Sequence, residues 1–328
     1  MKGSKNDKGI QVRRRIKAFF YALRYSIRHA YRYAKCVNYD YYKSEENFLP
    51  ILIANYHVIE KCLAMPNFEL GHAKERVGVV CMDLIKYSEL GFDTQNPQFV
   101  AAIQSVEEYN DVHKKASFAL PVDLQAAIDN AISLQKVEKH EQPLVSNDSF
   151  YGKLYGTFDD FAKSRHSVRT YSDKEIELGV LKDCVDIART TPTACNRQPN
   201  KTYIITQKEL IKKIVNVQGG GRGFAENANK ILIVTSSVSV FNNNEVFEAL
   251  KSGGMYAMNL LYALHSKKIG VCPLLWGEDI KKDNYLRKLI NIPDNEEIII
   301  IYSCGYPTSE FKYVTSVRND LEKSMVVV

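Results

Sequence analysis

The 328-residue chain has no apolar run long enough to cross a bilayer, and its basic start lacks an uninterrupted apolar stretch ahead of a small-residue cleavage site. Neither a membrane span nor a secretory leader is expected. Its seven cysteines, at positions 36, 62, 81, 184, 195, 272 and 304, are odd in number and form no CxxC pair. That pattern disfavours a disulfide framework and a zinc site and suits a reducing cytoplasm. The glycine run from Gln218 to Phe224 is not followed by Gly-Lys-Ser/Thr and has no strand directly before it, so it is not a triphosphate-binding loop. It reads as a loop that approaches or covers a site, or as a plain surface connection. Metal chemistry has one weak signal, His57 and Glu60 three apart on a helix, and no second pair accompanies it, so ordinary hydrogen bonding is expected and no metal. Cys195 has no His or Asn arrangement beside it and is read as a small loop residue, not a nucleophile.

The net charge of +6 is modest for this length but unevenly spread. Residues 1–35 hold Lys2, Lys5, Lys8, Arg13, Arg14, Arg15, Lys17, Arg24, Arg28, Arg32 and Lys35 against one acid, Asp7. From Ile16, Phe19, Phe20, Leu23 and Ile27 follow helical spacing while Arg24, Arg28 and Arg32 line another face, which makes an amphipathic basic helix. The favoured expectation is that its apolar side packs on the protein itself; the alternative is weak contact with an anionic membrane surface. Tyr21, Tyr25, Tyr31, Tyr33, Tyr39, Tyr41 and Tyr42 interleave with the charges, but no nucleic-acid module surrounds them and no nucleic-acid partner is expected. Residues 1–43 therefore form a basic arm. Residues 44–149 read as a helical subdomain with helices over 47–63, 73–87, 97–113 and 121–137, and the polar stretch 138–149 with Pro143 reads as a linker. Residues 150–328 form the remaining domain.

That domain is organised around Ser164 to Thr206. Arg165, Ser167 and Arg169 alternate along an extended segment, so their side chains share a face and can converge on one anion. Ser172 and Glu175 fit a capping box, followed by helically spaced Ile176, Val180, Leu181, Cys184, Ile187 and Ala188. The helix stops before Pro192, and a polar loop to Pro199 leads into a strand over 202–206. Further on the pattern predicts a short helix over 210–215, a buried strand over 231–235, a long helix over 245–268 broken by Gly253-Gly254, a helix over 283–290 and a strand over 297–303. The paired glycines suggest close packing against another backbone, with a partner subunit's helix as the candidate. This order indicates helices flanking one sheet.

The run Arg165-His166-Ser167-x-Arg169, a helix of about sixteen residues, Pro192-Thr193-x-x-Asn196-x-Gln198-Pro199, the segment Gly254–Leu261 with Ile269-Gly270-Val271, the turn Pro273-Leu274-Leu275-Trp276-Gly277, the strand end Tyr302–Pro307 and Arg318 together resemble the nitroreductase family of FMN-dependent oxidoreductases. The resemblance covers roughly Tyr155 to Leu321. It implies an α+β fold, a mixed sheet flanked by helices, FMN held in a homodimer, and ping-pong hydride transfer from NAD(P)H through the flavin to a small acceptor or biosynthetic intermediate, with no catalytic side chain required. It assigns Arg165, Ser167 and Arg318 to the flavin phosphate, Arg169 to the pyrimidine edge, Asn196 and Gln198 to the ring or ribityl chain, and the Gly277 N–H to the reactive nitrogen. His166, Pro192, Thr193, Pro273, Leu274, Leu275 and Trp276 complete the implied cofactor contacts. Two features depart from the family: Ser316-Val317 replaces the usual charged residue before Arg318, and the helical half is additional. The competing readings are a flavoenzyme that oxidises or rearranges its substrate, and a non-catalytic scaffold whose helical, basic half binds a partner or membrane surface.

Overall fold

The computed structural model of the chain describes residues 5–36, 40–242, 244–277 and 279–328, the side chains of residues 5–10 and of Tyr33 excepted. Of the residues named above, Lys2, Tyr39 and the side chains of Lys5, Asp7, Lys8 and Tyr33 lie outside it. The chain forms two units, Met1–Val37 with Tyr171–Tyr306, and Asn38–Thr170 with Pro307–Val328. Residues 150–170 and 307–328 thus group with the helical region. The basic arm is one helix, α1 (Lys5–Cys36). No helix among the described residues is long and apolar enough to cross a membrane.

In the helical unit, Ser44 accepts a hydrogen bond from the Asn47 N–H and opens α2 (Glu45–Leu63). α3 (Lys74–Glu89) follows, and Asn96 caps α4 (Pro97–Lys115), whose proline needs no hydrogen-bond partner in the first turn. α5 (Val122–Ser133) completes the group. Their apolar stripes meet in one core of Phe48, Leu52, Ile59, Val80, Leu84, Tyr87, Phe99, Ile103, Val106, Tyr109 and Ile128. Each such side chain contributes about 1.5–3 kcal/mol by leaving water. His57 and Glu60 hydrogen-bond to each other, Nδ1 to Oε2 at 2.9 Å.

The expected linker is instead ordered. Leu144–Ser146 forms β1, followed by α6 (Asn147–Phe150) and α7 (Phe158–Ser164). Its strand partner, β6 (Glu310–Lys312), comes from the distant chain end, so local composition could not reveal it.

The sheet unit runs α8 (Leu178–Ala188), β2 (Asn200–Ile205), α9 (Lys208–Gln218), β3 (Lys230–Ser237), α10 (Glu248–Ser266), β4 (Gly270–Leu274), α11 (Ile280–Ile290) and β5 (Glu296–Gly305). The strand order is β2-β3-β5-β4, and every recorded pairing is antiparallel, where a mixed sheet was implied. The α+β class holds. β3 is buried along its whole length because its continuous apolar run has a strand on each side and α10 against one face. Leu181, Cys184, Leu232, Val234, Leu260, Leu264, Val271 and Tyr302 form the core.

Two expectations need correction. The capping box does not form: α8 starts at Leu178 behind an uncapped Glu177. The Ser172 N–H and hydroxyl both donate to the Tyr306 carbonyl, and Glu175 pairs with Lys230 at 2.7 Å, so tertiary partners take both residues. Of the two glycines, Gly253 packs on its own sheet, where a Cβ would lie 2.4 Å from Ile299 Cγ1, while Gly254 has open space beside it.

Candidate functional site

The residues singled out from the sequence fall in both units, and each set is described by itself. In the helical unit, α7 ends at Ser164 and is followed by Arg165, whose backbone is extended (φ −77°, ψ 116°). Arg165 and Ser167 are half-buried, but Arg169 is only 7% exposed, so the expected alternation turns inward at that residue. The chain end is fastened to the same unit. The Thr315 N–H donates to Gln142 Oε1 at 3.2 Å, Gln98 Nε2 donates to the Val317 carbonyl at 3.3 Å, and Ser316 takes a left-handed φ of 55°. Arg318 follows directly.

His166 reports what these segments bring together. Its ring lies 4.3 Å from that of Tyr313 and near Phe150, and it hydrogen-bonds the Val314 backbone. Burial, then Arg165 and more weakly Arg318, push its pKa below the ordinary imidazole value, against the Val314 bond. Arg165 and Arg318, far apart in sequence, thus both lie near enough to this imidazole to disfavour its charged form. Such a set of fixed cations suits a dianionic phosphate.

In the sheet unit, the loop after α8 has Cys195, Asn196 and Gln198 at φ near 50° (52°, 53° and 49°). Left-handed backbone costs a non-glycine residue about 1 kcal/mol or more, so something must hold it. Arg197 does so: it bonds Glu245 in two-pronged fashion at 2.6 and 2.7 Å, reaches the Val240 carbonyl, and lies over Phe241. Hydrogen bonds from Arg197 and from the Asn242 N–H bring the Glu245 pKa down to about 2. The Gln198 N–H donates to Thr193 Oγ1 at 3.1 Å, while Pro192 and Asn196 are exposed. Thr193 and Gln198, with Arg189, Thr191, Asn200 and Tyr256, line a cavity of about 30 Å³, large enough for a water molecule. The buried Asn200 Oδ1 has no hydrogen-bond partner among the described residues. Neither the Arg197 clamp nor Asn200 was found from the sequence, since Glu245 and Tyr256 are remote along the chain.

At the end of β4, Pro273 stands opposite Tyr302 and Leu274 is buried against Gly221. The turn beyond is held by Gln218, which the sequence reading passed over: its Nε2 donates to the Leu275 carbonyl and its Oε1 accepts from the Gly221 N–H, both at 2.9 Å. The glycine run is therefore tied to the turn by that side chain. Leu275 is 78% exposed, and the Trp276 indole N–H donates to Asp283 Oδ1 at 3.1 Å. Gly277 has open space where a side chain would stand.

The Nitroreductase family model matches residues 162–221 and 216–306, which contain most of both sets. Together the two matches span residues 162–306, somewhat less than half of the chain. Two curated relatives share the name "Putative NADH dehydrogenase/NAD(P)H nitroreductase". The one from Archaeoglobus fulgidus is 25% identical over 147 residues, 45% of this chain and 83% of that protein. The one from Methanothermobacter thermautotrophicus is 26% identical over 150 residues, 44% of this chain and 74% of that protein. Among solved structures, a nitroreductase-like protein of Desulfovibrio desulfuricans in complex with FMN aligns at 20% identity and a TM-score of 0.44, covering 51% of this chain and 94% of that one. Arg318 and all of the chain before residue 162 lie outside the nitroreductase match.

Proposed function

We propose that this chain is an FMN-dependent oxidoreductase that passes hydride from NAD(P)H to a small acceptor or biosynthetic intermediate in a ping-pong cycle, as a homodimer. The reading is supported chiefly by the nitroreductase match over residues 162–306, which begins just before Arg165, together with the placement of Arg165 and Arg318 in one unit near His166. Bound FMN would supply the redox chemistry for hydride transfer between the nicotinamide and the second substrate. The protein's part is binding and electrostatics. Arg165, Ser167 and Arg318 hold the phosphate, beside the His166 imidazole. Arg169, out of contact with bulk water, is a fixed cation that favours negative charge on the ring. In the sheet unit, the clamped backbone at Asn196 and Gln198 presents amide groups, and the uncrowded Gly277 offers its N–H. Leu275 and the Trp276 ring, fixed by Asp283, supply apolar surface. Seven free cysteines are compatible with a reducing cytoplasm.

The test is flavin binding by the full chain, read from absorbance near about 450 nm. Replacing Arg165 and Arg318 by alanine removes two charge-assisted contacts of about 1.5–3 kcal/mol each, so FMN affinity falls at least about a hundredfold. Unchanged affinity in the double variant refutes the phosphate assignment, and a protein that takes up no FMN favours the scaffold reading.

A further inference from the structure

α1 carries its apolar residues on the outside. Val12, Ile16, Phe19, Phe20, Leu23 and Ile27 share one helical face and are 40–63% exposed. The expectation that this side packs on the protein is therefore not met. The positions partly withdrawn from water, Ala18, Tyr21 and Ala22, lie on another azimuth, as does His29, whose ring is 5.4 Å from that of Phe247 within the sheet unit. The helix meets its own unit through one face and presents a stripe of large apolar side chains on a second.

The charge beside that stripe identifies its occupant. Arg13, Lys17, Arg24 and Arg28 run along one flank of it, Arg15 lies on the other, and no acidic residue occurs between Gln11 and Cys36. Residues 1–36 hold eleven lysines and arginines and one aspartate, yet the whole chain is only +6, so everything after Cys36 is net acidic. The cations are concentrated where the exposed apolar side chains are. A second copy of the helix is a poor partner, because joining two stripes would bring two wholly cationic rims within a Debye length of about 8 Å with no acid to offset them. An anionic bilayer surface satisfies both features: phenylalanine, leucine and isoleucine enter the acyl boundary while lysine and arginine stems reach back to the phosphates.

We infer that α1 is an interfacial helix that lies on anionic phospholipid membranes through its Val12–Ile27 stripe. This rests on α1 alone and is independent of the redox reading. The experiment is co-sedimentation of the full chain with vesicles of phosphatidylcholine alone and of phosphatidylcholine with one quarter phosphatidylglycerol. Three engaged cations, at about fivefold each, raise partitioning onto the anionic vesicles roughly a hundredfold, and salt reverses the gain. Phe19→Glu with Leu23→Glu abolishes binding to both vesicle types. Arg24→Glu with Arg28→Glu brings the anionic vesicles down to the level of the neutral ones, with the circular dichroism of both variants unchanged. Equal sedimentation with the two vesicle types overturns the inference, as does undiminished binding of the Phe19/Leu23 variant. Lipid-free light scattering that shows self-association lost in that variant also overturns it, since the stripe then belongs to a second copy.

Discussion

Gly253 sits inside α10 where the helix crosses the sheet, and its replacement by alanine separates intrachain packing from any role at a subunit contact. A Cβ would lie 2.4 Å from Ile299 Cγ1, 2.5 Å from its Cδ1 and 3.3 Å from Ser236 Cβ. In an open helix Gly→Ala gains about 1 kcal/mol, but overpacking a filled core costs about 1–3 kcal/mol. The first two distances are too short to persist, so the cost dominates and Gly253→Ala loses up to about 2 kcal/mol. Ile299→Ala removes both offending atoms. In that background only the milder 3.3 Å approach to Ser236 Cβ opposes the helix term, and the same Gly253→Ala change stabilises by up to about 1 kcal/mol. The assay is urea unfolding followed by the fluorescence of Trp276, the chain's single tryptophan, which belongs to the sheet unit. A sign reversal between the two backgrounds is the expected result. If Gly253→Ala is neutral in the parent chain, or destabilises equally with and without Ile299, the packing argument is wrong.

Glu296 is buried and accepts hydrogen bonds from Lys201, Tyr203 at 2.9 Å and Thr235 at 2.7 Å. Burial raises its pKa, but the three donors outweigh it and the net shift is downward, so its contribution is full above about pH 4.5 and is lost as pH falls through the lower folded value. Glu296→Gln removes that acid limb from a pH-stability profile, and Glu296→Ala costs about 2 kcal/mol or more by stranding two hydroxyls. For His166, whose folded pKa is depressed, the linked stability is full above about pH 6.5 and declines as pH falls toward the folded value. Its imidazole resonances should titrate at higher pH when inorganic phosphate is added or when Arg318 is replaced by alanine; a fixed midpoint in both cases would show that Arg318 and the anion act elsewhere.

Where local pattern decides structure, the sequence was readable. Ser44 and Asn96-Pro97 start helices because caps act within one turn, and α2 to α4 follow their apolar spacing. The failures are non-local. Ser172 and Glu175 satisfy a capping rule, yet Tyr306 and Lys230, remote in sequence, outcompete the helix for them. β1 looks like a polar linker because its three residues become a strand only against β6. At the candidate site, the arginines and the polar loop were legible as residue types in order. What holds them was not: the Arg197–Glu245 clamp, the Gln218 tie to Leu275 and the joint action of Arg165 and Arg318 on His166 all join segments with no pattern between them. The apolar stripe of α1 was legible as a stripe, but the sequence could not tell which side of the helix the protein would leave uncovered.

The proposed flavin oxidoreductase activity of the segment matching the nitroreductase family can be read from its flavin. Anaerobic stopped-flow mixing of the FMN-loaded full chain with NADH or NADPH tests it most directly. Loss of the flavin absorbance near about 450 nm is expected, with full recovery when a nitroaromatic or quinone acceptor is added in a second mix. A chain that binds FMN but whose absorbance is left unchanged by both nicotinamides would contradict it.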